Sequence, residues 1–436
     1  MMVFSKKKLK EVCKRITVGH VGPMAEKYVL DGVPFLRSQN ISPFQLQLED
    51  IKFIPVEFHE KLRKSALHPG DVVVVRTGYP GTACVIPDSF PELNCADLVV
   101  FTPSEELNPY YLSAIFNSAW GKANVAGKLV GVAQQHFNVT VAKEMLIMLP
   151  LRNLQDKVAG ILTAYDDLIE NNLRRIKILE EMARSLYREW FVNFRFPGHE
   201  KIPLVDSPLG KIPKGWEVAS FYDLLESGLG GDWGLDEPDA KENAPVFVIR
   251  GTDFDDILNG TTLRIPRRFI MPSSLDKRQL QAGDLLVENS INAKSRCVGT
   301  TLFITNGILR RLSDPAIAAS FCKVYRFKDP SLAPLAHLHM RYLYGEGRMA
   351  FYQNVAANGI GNFQSQRFLD SEYLVFPTNS QIRQKIFGFL KDLTSSTLAD
   401  QIFKLRSTRD LLLPKLISGE LDVSELGIAM SENEKV

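Results

Sequence analysis

LQDKVAGILTAYDDLIENNLRRIKILEEMARSLYREWF, from Leu154 to Phe191, draws one apolar seam. Leu154, Val158, Ile161/Leu162, Tyr165, Ile169, Leu173, Ile176, Leu179, Ala183, Leu186 and Trp190 recur every three or four positions, with Lys157, Asp166, Glu170, Arg174, Lys177, Glu181 and Arg188 between them. That spacing predicts a long amphipathic helix. At about 1.5 Å per residue it runs for more than about 50 Å, and Gly160 is its only interior helix breaker. An apolar seam of this length needs a partner. Ile382, Ile386, Phe389/Leu390, Leu393, Leu398, Ile402, Leu405, Leu412 and Leu416 repeat it between Thr378 and Gly419.

Each predicted rod follows a mixed segment, and the two segments match. VFVIRGTDF (Val246 to Phe254) lies over VPFLRSQNI (Val33 to Ile41), with Arg250 standing 213 residues after Arg37. LQAGDLLVENS (Leu280 to Ser290) lies over LHPGDVVVVRT (Leu67 to Thr77), where Gly283 again follows Gly70 by 213. LPLRNLQDKVAGIL (Leu149 to Leu162) aligns with FPTNSQIRQKIFGFL (Phe376 to Leu390) across one inserted residue. A constant offset over such a distance marks an internal repeat, two copies of a mixed domain followed by a long helix. Short β-branched runs bounded by Gly, Pro and Asn predict strands in both copies, including Asp71 to Gly78 and Ala96 to Phe101, while Tyr110 to Trp120 has helical spacing. The joint RFPGHEKIPLVDSPLGKIPKGW (Arg195 to Trp216) is rich in proline and glycine and reads as an extended linker without regular structure. Gly228 to Asp239 reads as a loop, and the polar tail after Asp422 as a flexible end.

Composition sets the class. The 436 residues exceed one compact core, and 45% hydrophobic with 23% charged residues are the proportions of a soluble globular protein. No apolar run of about 18 residues exists to cross a bilayer, and MMVFSKKKLKEV lacks the apolar core of a secretory signal, which predicts a cytoplasmic location and no membrane partner. The five cysteines, Cys13, Cys84, Cys95, Cys297 and Cys322, are odd in number and scattered, against both a disulfide framework and a zinc ribbon. A net charge of +2 is small for a nucleic-acid binder, so DNA contact would come from local patches or be shared with a more basic partner.

Enzymatic signatures fail. Asn108-Pro109-Tyr110-Tyr111 falls one proline short of the loop with which adenine methyltransferases hold the target amine; with no glycine-rich donor-binding turn upstream, it reads as a turn and helix start. No GxxxxGK[ST] loop occurs, so ATP hydrolysis is not expected. The acids Asp88 and Glu92 read as an acidic turn, and His337 and His339, two apart on a predicted helix, point to different faces and cannot chelate together. Catalytic and metal residues are therefore expected to be absent.

The remaining polar residues suit base reading. Arg37, Gln39 and Asn40 end one strand, Arg76 and Thr77 end another, and Gln134, Gln135 and His136 precede the return into the first long helix. The second copy offers Arg250, Thr252, Asp253, Asn289, Asn292, Lys294 and Arg296 in corresponding places. Arginine grips guanine, and Asn or Gln grips adenine, through paired hydrogen bonds in the major groove. Any one of them is equally an ordinary solvated loop residue, since phosphate contacts and bystanders outnumber base readers. The basic run Arg264, Arg267, Arg268 reads either as a further contact surface or as a solvated face.

SLYREWFVNFRFPG (Ser185 to Gly198) closing the first rod, LLPKLISGELDV (Leu412 to Val423) closing the second, KIPKGWEV (Lys211 to Val218) opening the second copy and GDVVVVRTGYPG (Gly70 to Gly81) resemble the specificity subunit of type I restriction-modification enzymes. The likeness runs over nearly the whole chain. It departs at FSKKKLKEV, where the first copy lacks the tryptophan of KGWEV, and at GDLLVENSINAK, where the second lacks the Gly-Tyr-Pro-Gly turn. The resemblance implies an α+β fold of two mixed target-recognition domains, each followed by a long helix, the helices pairing as an antiparallel coiled coil. Its expected boundaries are 1–149 for the first recognition domain, 150–196 for the first spacer helix, 197–216 for the linker, 217–377 for the second domain, 378–420 for the second helix and 421–436 for the tail. It further implies a non-catalytic subunit that reads one half of a bipartite, asymmetric site in double-stranded DNA with each domain. Two methyltransferase subunits and the restriction/translocase subunits would dock on its helical parts, bringing the S-adenosylmethionine, ATP and Mg that this chain would not itself bind. The competing reading is a structural coiled-coil adaptor with two protein-binding domains, which the duplication fits equally well and the closing phrases do not.

Overall fold

The computed structural model describes residues 4–90, 92–128, 136–262, 264–292, 296–381, 383, 388 and 396–427. The chain divides into two compact units, Met1–Leu168 with Leu405–Val436, and Ile169–Lys404.

In the first unit, strand Phe4–Lys8 pairs antiparallel with Leu146–Pro150, Phe4 opposite Pro150. A four-stranded antiparallel sheet follows in the order Cys13–Val18, Leu98–Pro103, Val72–Val75, Ala83–Val85. Its two middle strands are buried on both faces over VVVV (Val72–Val75) and LVVF (98–101), which is why the sequence there is continuously apolar rather than alternating. Val72, Val74, Val99 and Phe101 face a core shared with helix Pro109–Asn117, while Val73, Val75, Leu98 and Val100 face Leu36, Ile41 and Leu93. A smaller sheet runs Lys52–Ile54, Val33–Leu36, Asn94–Cys95, its first pair antiparallel and its second parallel.

The second unit repeats this plan. Trp216–Ser220 pairs antiparallel with Tyr373–Pro377, Trp216 opposite Pro377. The four-stranded sheet runs Leu225–Gly230, Cys322–Phe327, Leu285–Glu288, Thr301–Phe303, and the smaller one Arg267–Ile270, Ala244–Ile249, Ala316–Ala318 with the same mixture of pairings. Phe4 therefore occupies the place of Trp216, so the first copy's entry keeps an aromatic residue though not the tryptophan. Asp71 and Asp284, 213 residues apart, are both buried. Arg15 reaches Asp71 at 2.6 Å from the outer strand of its sheet, whereas Arg326 binds Asp284 through two bonds of 2.8 Å from a central strand. The second unit adds a three-stranded sheet in the order Ser290–Asn292, Ile360–Phe363, Gln353–Val355.

The first long helix is Arg152–Tyr187, closed by a π-helical turn at Arg188–Val192. Its buried positions are Leu154, Gln155, Val158, Ala159, Leu162, Ile169, Asn172, Ile176, Ala183, Tyr187 and Phe191. The seam thus passes through Asn172, Tyr187 and Phe191 where Leu173, Leu186 and Trp190 were expected. Gly160 is tolerated within it. The second long helix is described over Ser396–Ser418, and the expected seam residues Ile382, Ile386, Phe389, Leu390 and Leu393 lie outside the described residues. In the first unit the two helices run antiparallel. Lys157 Nζ donates to Ser424 O at 2.6 Å, and Arg409 Nη1 to Asp166 Oδ1 at 2.5 Å further along. Leu413, Leu416, Ile417 and Val423 join Leu154, Val158 and Leu162 in one core. In the second unit Asn172 Nδ2 lies 3.5 Å from Gln401 Oε1.

Three expectations are corrected. The joint is not devoid of regular structure: Leu204–Ser207 and Gly210–Pro213 form a hairpin, because Gly210 supplies the left-handed turn, and Trp216 stacks on Phe196 nearby. The stretch Gly228 to Asp239 begins inside strand Leu225–Gly230. The tail is not wholly solvated, since Val423 is fully buried. Among the described residues no helix is long and apolar enough to cross a membrane.

Candidate nucleic-acid interface

The strand ends hold most of the residues singled out from the sequence, and the structure gives nearly all of them internal partners. Arg37 donates to Asp50 Oδ2 at 3.0 Å, and Gln39 to the same oxygen at 3.2 Å. Hydrogen bonds from Lys52 and then Arg37 hold the Asp50 carboxyl down at about 2. Asn40 is fully buried; its Oδ1 accepts from the Arg37 backbone N at 3.0 Å and its Nδ2 donates to Gln47 O at 2.9 Å. It shapes the turn rather than facing solvent. The second copy builds the same corner with Asp253, whose carboxylate accepts from Arg250 N at 2.9 Å and grips the Arg250 guanidinium at 2.9 and 2.6 Å. Thr252 is exposed between them.

Arg76 Nη1 and Thr77 Oγ1 both donate to Asp97 at 2.9 Å. Phe137 N donates to Arg76 O, which brings the segment after His136 against that strand end; His136 is half-buried, and Gln134 and Gln135 lie outside the described residues. At the matching end in the second copy Asn289 donates to Ser290 Oγ at 3.3 Å and accepts from Ser365 Oγ at 3.1 Å. Arg296 donates to Glu288 Oε1 at 2.8 Å, where burial pushes the Glu288 carboxyl up against the pull of Arg296 and Thr300. Asn292 is exposed, and Lys294 lies outside the described residues.

The basic run is neutralised in place. Arg264 pairs with Asp256 at 3.6 Å, Arg267 with Asp314 at 2.7 Å, and Arg268 with Asp236 while stacking over Trp233 at 4.7 Å. These arginines are neither a free cationic patch nor a plain solvated face. The carboxylates Asp50, Asp97 and Glu288 were missed in the sequence. An Arg followed three residues on by Asn or Asp, as at Arg37 and Arg250, is a local signal for such a cap; the partnership of Arg76 with Asp97 leaves none.

The other motifs resolve structurally. Asn108 caps helix Pro109–Asn117 by accepting from Tyr110 N and Tyr111 N, with Pro109 in the first turn. His337 bonds to Thr301 Oγ1 at 2.9 Å, and His339 lies between Tyr187 and Glu372, so the two rings do point apart. Among the described residues no group of three or more His, Cys, Asp or Glu is placed to hold a metal. All five cysteines are free thiols.

The model of the type I restriction modification DNA specificity domain matches residues 4–181. The chain is 27% identical over 297 residues to the type I restriction enzyme MjaIX specificity subunit of Methanocaldococcus jannaschii, covering 65% of this chain and 62% of that one. By these likenesses it resembles the type I specificity subunits. The HindI specificity subunit of Haemophilus influenzae is 23% identical over 322 residues, 63% of this chain and 68% of its own. The matched region thus spans somewhat less than two thirds of the MjaIX subunit. The crystal structure of the type I restriction-modification S subunit from M. genitalium has the same fold, with a TM-score of 0.52 at 12% identity over 95% of this chain and 96% of that one. Specificity subunits so compared share frame more than sequence, in keeping with the repeated sheets and unlike strand ends described above.

Proposed function

We propose that this chain is the non-catalytic DNA-recognition subunit of a cytoplasmic type I restriction-modification complex, each mixed domain reading one half of a bipartite, asymmetric duplex site. The observation that carries this reading is that the frame is repeated while the polar end of one of its central strands is not. At the 213-residue offset, Val75, Arg76 and Thr77 become Glu288, Asn289 and Ser290, although both strands hold the same place in the same sheet. Two equal scaffolds with different polar edges suit two different half-sites, so that one chain acts as a pseudo-dimer on an asymmetric target.

Strength of binding would come partly from elsewhere, because the net charge is only +2 and the arginines at the edges face carboxylates. Two methyltransferase subunits docked on the helical parts, together with restriction subunits, would add basic surface and supply S-adenosylmethionine, ATP and Mg. The methyltransferases would also flip the adenine to be modified. Methylation-sensitive sequencing of DNA from cells expressing this chain with its methyltransferase subunits tests the proposal. A two-part modified motif with a fixed gap is expected, and a single contiguous motif, or none, would refute it. Retention on duplex DNA at low salt separates this reading from a protein-binding adaptor, which would not be retained.

A further inference from the structure

We infer that the outward face of the sheet Ser290–Asn292, Ile360–Phe363, Gln353–Val355 is the base-reading surface of the second domain, and that Asn354 and Asn362 on it select adenine. The inference rests on the DNA-recognition reading above and names the surface that performs it.

The segment has an unusual composition. From Gly347 to Leu369 there is no Asp or Glu, while Gln353, Asn354, Asn358, Asn362, Gln364 and Gln366 crowd its middle. Elsewhere the candidate arginines face carboxylates; this stretch has none of its own, though Gln366 donates to Asp370 at 2.9 Å and Arg348 pairs with Glu372 at 3.5 Å just beyond it. Its register sorts the side chains. Gln353 stands opposite Phe363, and that face turns inward, Phe363 packing against Phe368 and Gln353 accepting from Val298 N at 2.9 Å. Successive side chains alternate between faces, so Asn354, opposite Asn362, lies on the outer face with Ser290 beyond it in the next strand. Ser290 Oγ donates to Asn362 Oδ1 at 2.8 Å, fixing that amide while its Nδ2 and second lone pair stay available. Asn354 is exposed and makes no side-chain hydrogen bond among the described residues. Ile360, on the same face and 41% exposed, adds an apolar group beside them.

These are the functional groups that an A·T pair asks for. An amide meets adenine N6 and N7 with two hydrogen bonds, and an apolar side chain meets the thymine methyl. The hairpin Gln353–Phe363 forms the outer edge of this three-stranded sheet, Gln353–Val355 being its edge strand. Arg367, stacked over Phe351 at 3.9 Å, flanks it on the same acid-free stretch with charge suited to phosphates, whereas Arg348 is drawn to Glu372 at 3.5 Å.

The test is selection from a random duplex library by the full-length chain assembled with its methyltransferase subunits, wild type against Asn354→Ala and against Asn354→Ala with Asn362→Ala. The wild type should enrich a two-part motif containing A·T pairs in one part. The variants should lose preference at those pairs by roughly 5- to 150-fold, with the other part and the gap unchanged. Asn354→Ala removes an exposed side chain with no internal bond, so its effect cannot be assigned to misfolding. A variant motif identical to the wild type's, or equal loss over both parts as a protein-docking face would give, overturns the inference while leaving the DNA-recognition reading standing. A wild-type chain that enriches nothing overturns both.

Discussion

Arg296 and Glu288 show how a residue that looks like a base reader can instead be part of the scaffold. Glu288 is 3% exposed, and its carboxylate depends on Arg296 and Thr300 for hydrogen bonds. Arg296→Ala leaves that carboxylate buried without its cation and should destabilise the second unit by about 3 kcal/mol, measured by denaturant unfolding. The first copy carries Val75 at the same place, so Glu288→Val combined with Arg296→Ala should recover most of the loss. Failure of the double variant to recover would mean that Arg296 acts through something other than this pair. Arg76 differs, because its partner Asp97 is 35% exposed and Arg76→Ala should cost well under about 1 kcal/mol. His337 supplies a pH test. Burial, with Arg341 nearby, pulls its imidazole down to about 3, so it stays neutral in the folded chain while the unfolded chain protonates near 6.5. The stability it contributes is complete above pH 6.5 and is lost as pH falls toward 3, amounting to about 2 kcal/mol by pH 5. The difference in unfolding free energy between wild type and His337→Gln should shrink by about 2 kcal/mol between pH 7 and 5, other titrating groups cancelling in the comparison. Residue types at strand ends were legible in the sequence, but their engagement was not, because the acid that holds Arg76 lies 21 residues away in the bend before strand Leu98–Pro103.

At the scale of elements, the long helices were the most legible part, because a 3.6-residue period is written locally. Even there the period left the exact stripe open. Asn172 rather than Leu173 is buried, and Arg409, a charged residue, is buried in the second helix, where a pattern of apolar positions could not have placed it. Burial raises the Asp166 carboxyl to about 6 despite Arg409 beside it, so the pair is held at a cost. Arg409→Ala should therefore destabilise the first unit by about 3 to 5 kcal/mol, whereas Asp166→Leu with Arg409→Met should be nearly neutral or stabilising. Thermal unfolding of the three chains checks this, and equal losses in single and double variants would refute it. The small sheets were not legible. Their strands are two to six residues long, and the parallel pairing of Phe35 with Asn94 joins positions far apart in sequence, so no local alternation announces it. The hairpin Leu204–Ser207 with Gly210–Pro213 was hidden by the opposite effect, its proline and glycine reading as disorder when they shape a turn.

For the whole molecule, the repeat in sequence predicts two domains cut at the helices, yet the compact units are cut differently. The first contains both ends of the chain, because Leu413, Leu416, Ile417 and Val423 complete the core built by Leu149, Leu154, Val158 and Leu162. A recognition domain exchanged by sequence boundaries alone would carry half of that core and meet the resident C-terminal segment as a stranger. Replacing residues 1–149 by the equivalent domain of a related specificity subunit should thus give a less stable chimera than replacing 1–168 together with 405–427, by several kcal/mol if two or three core contacts are mismatched. Calorimetry should place the difference in one transition, that of the first unit, while protection of strands Leu285–Glu288 and Cys322–Phe327 against hydrogen exchange stays as in the parent. Both chimeras, where folded, should modify DNA at a motif altered in one half only, because the second unit and its reading face are untouched. Equal stability of the two chimeras would show that the C-terminal segment is dispensable to the first core, and a motif altered in both halves would show that the domains do not read independently.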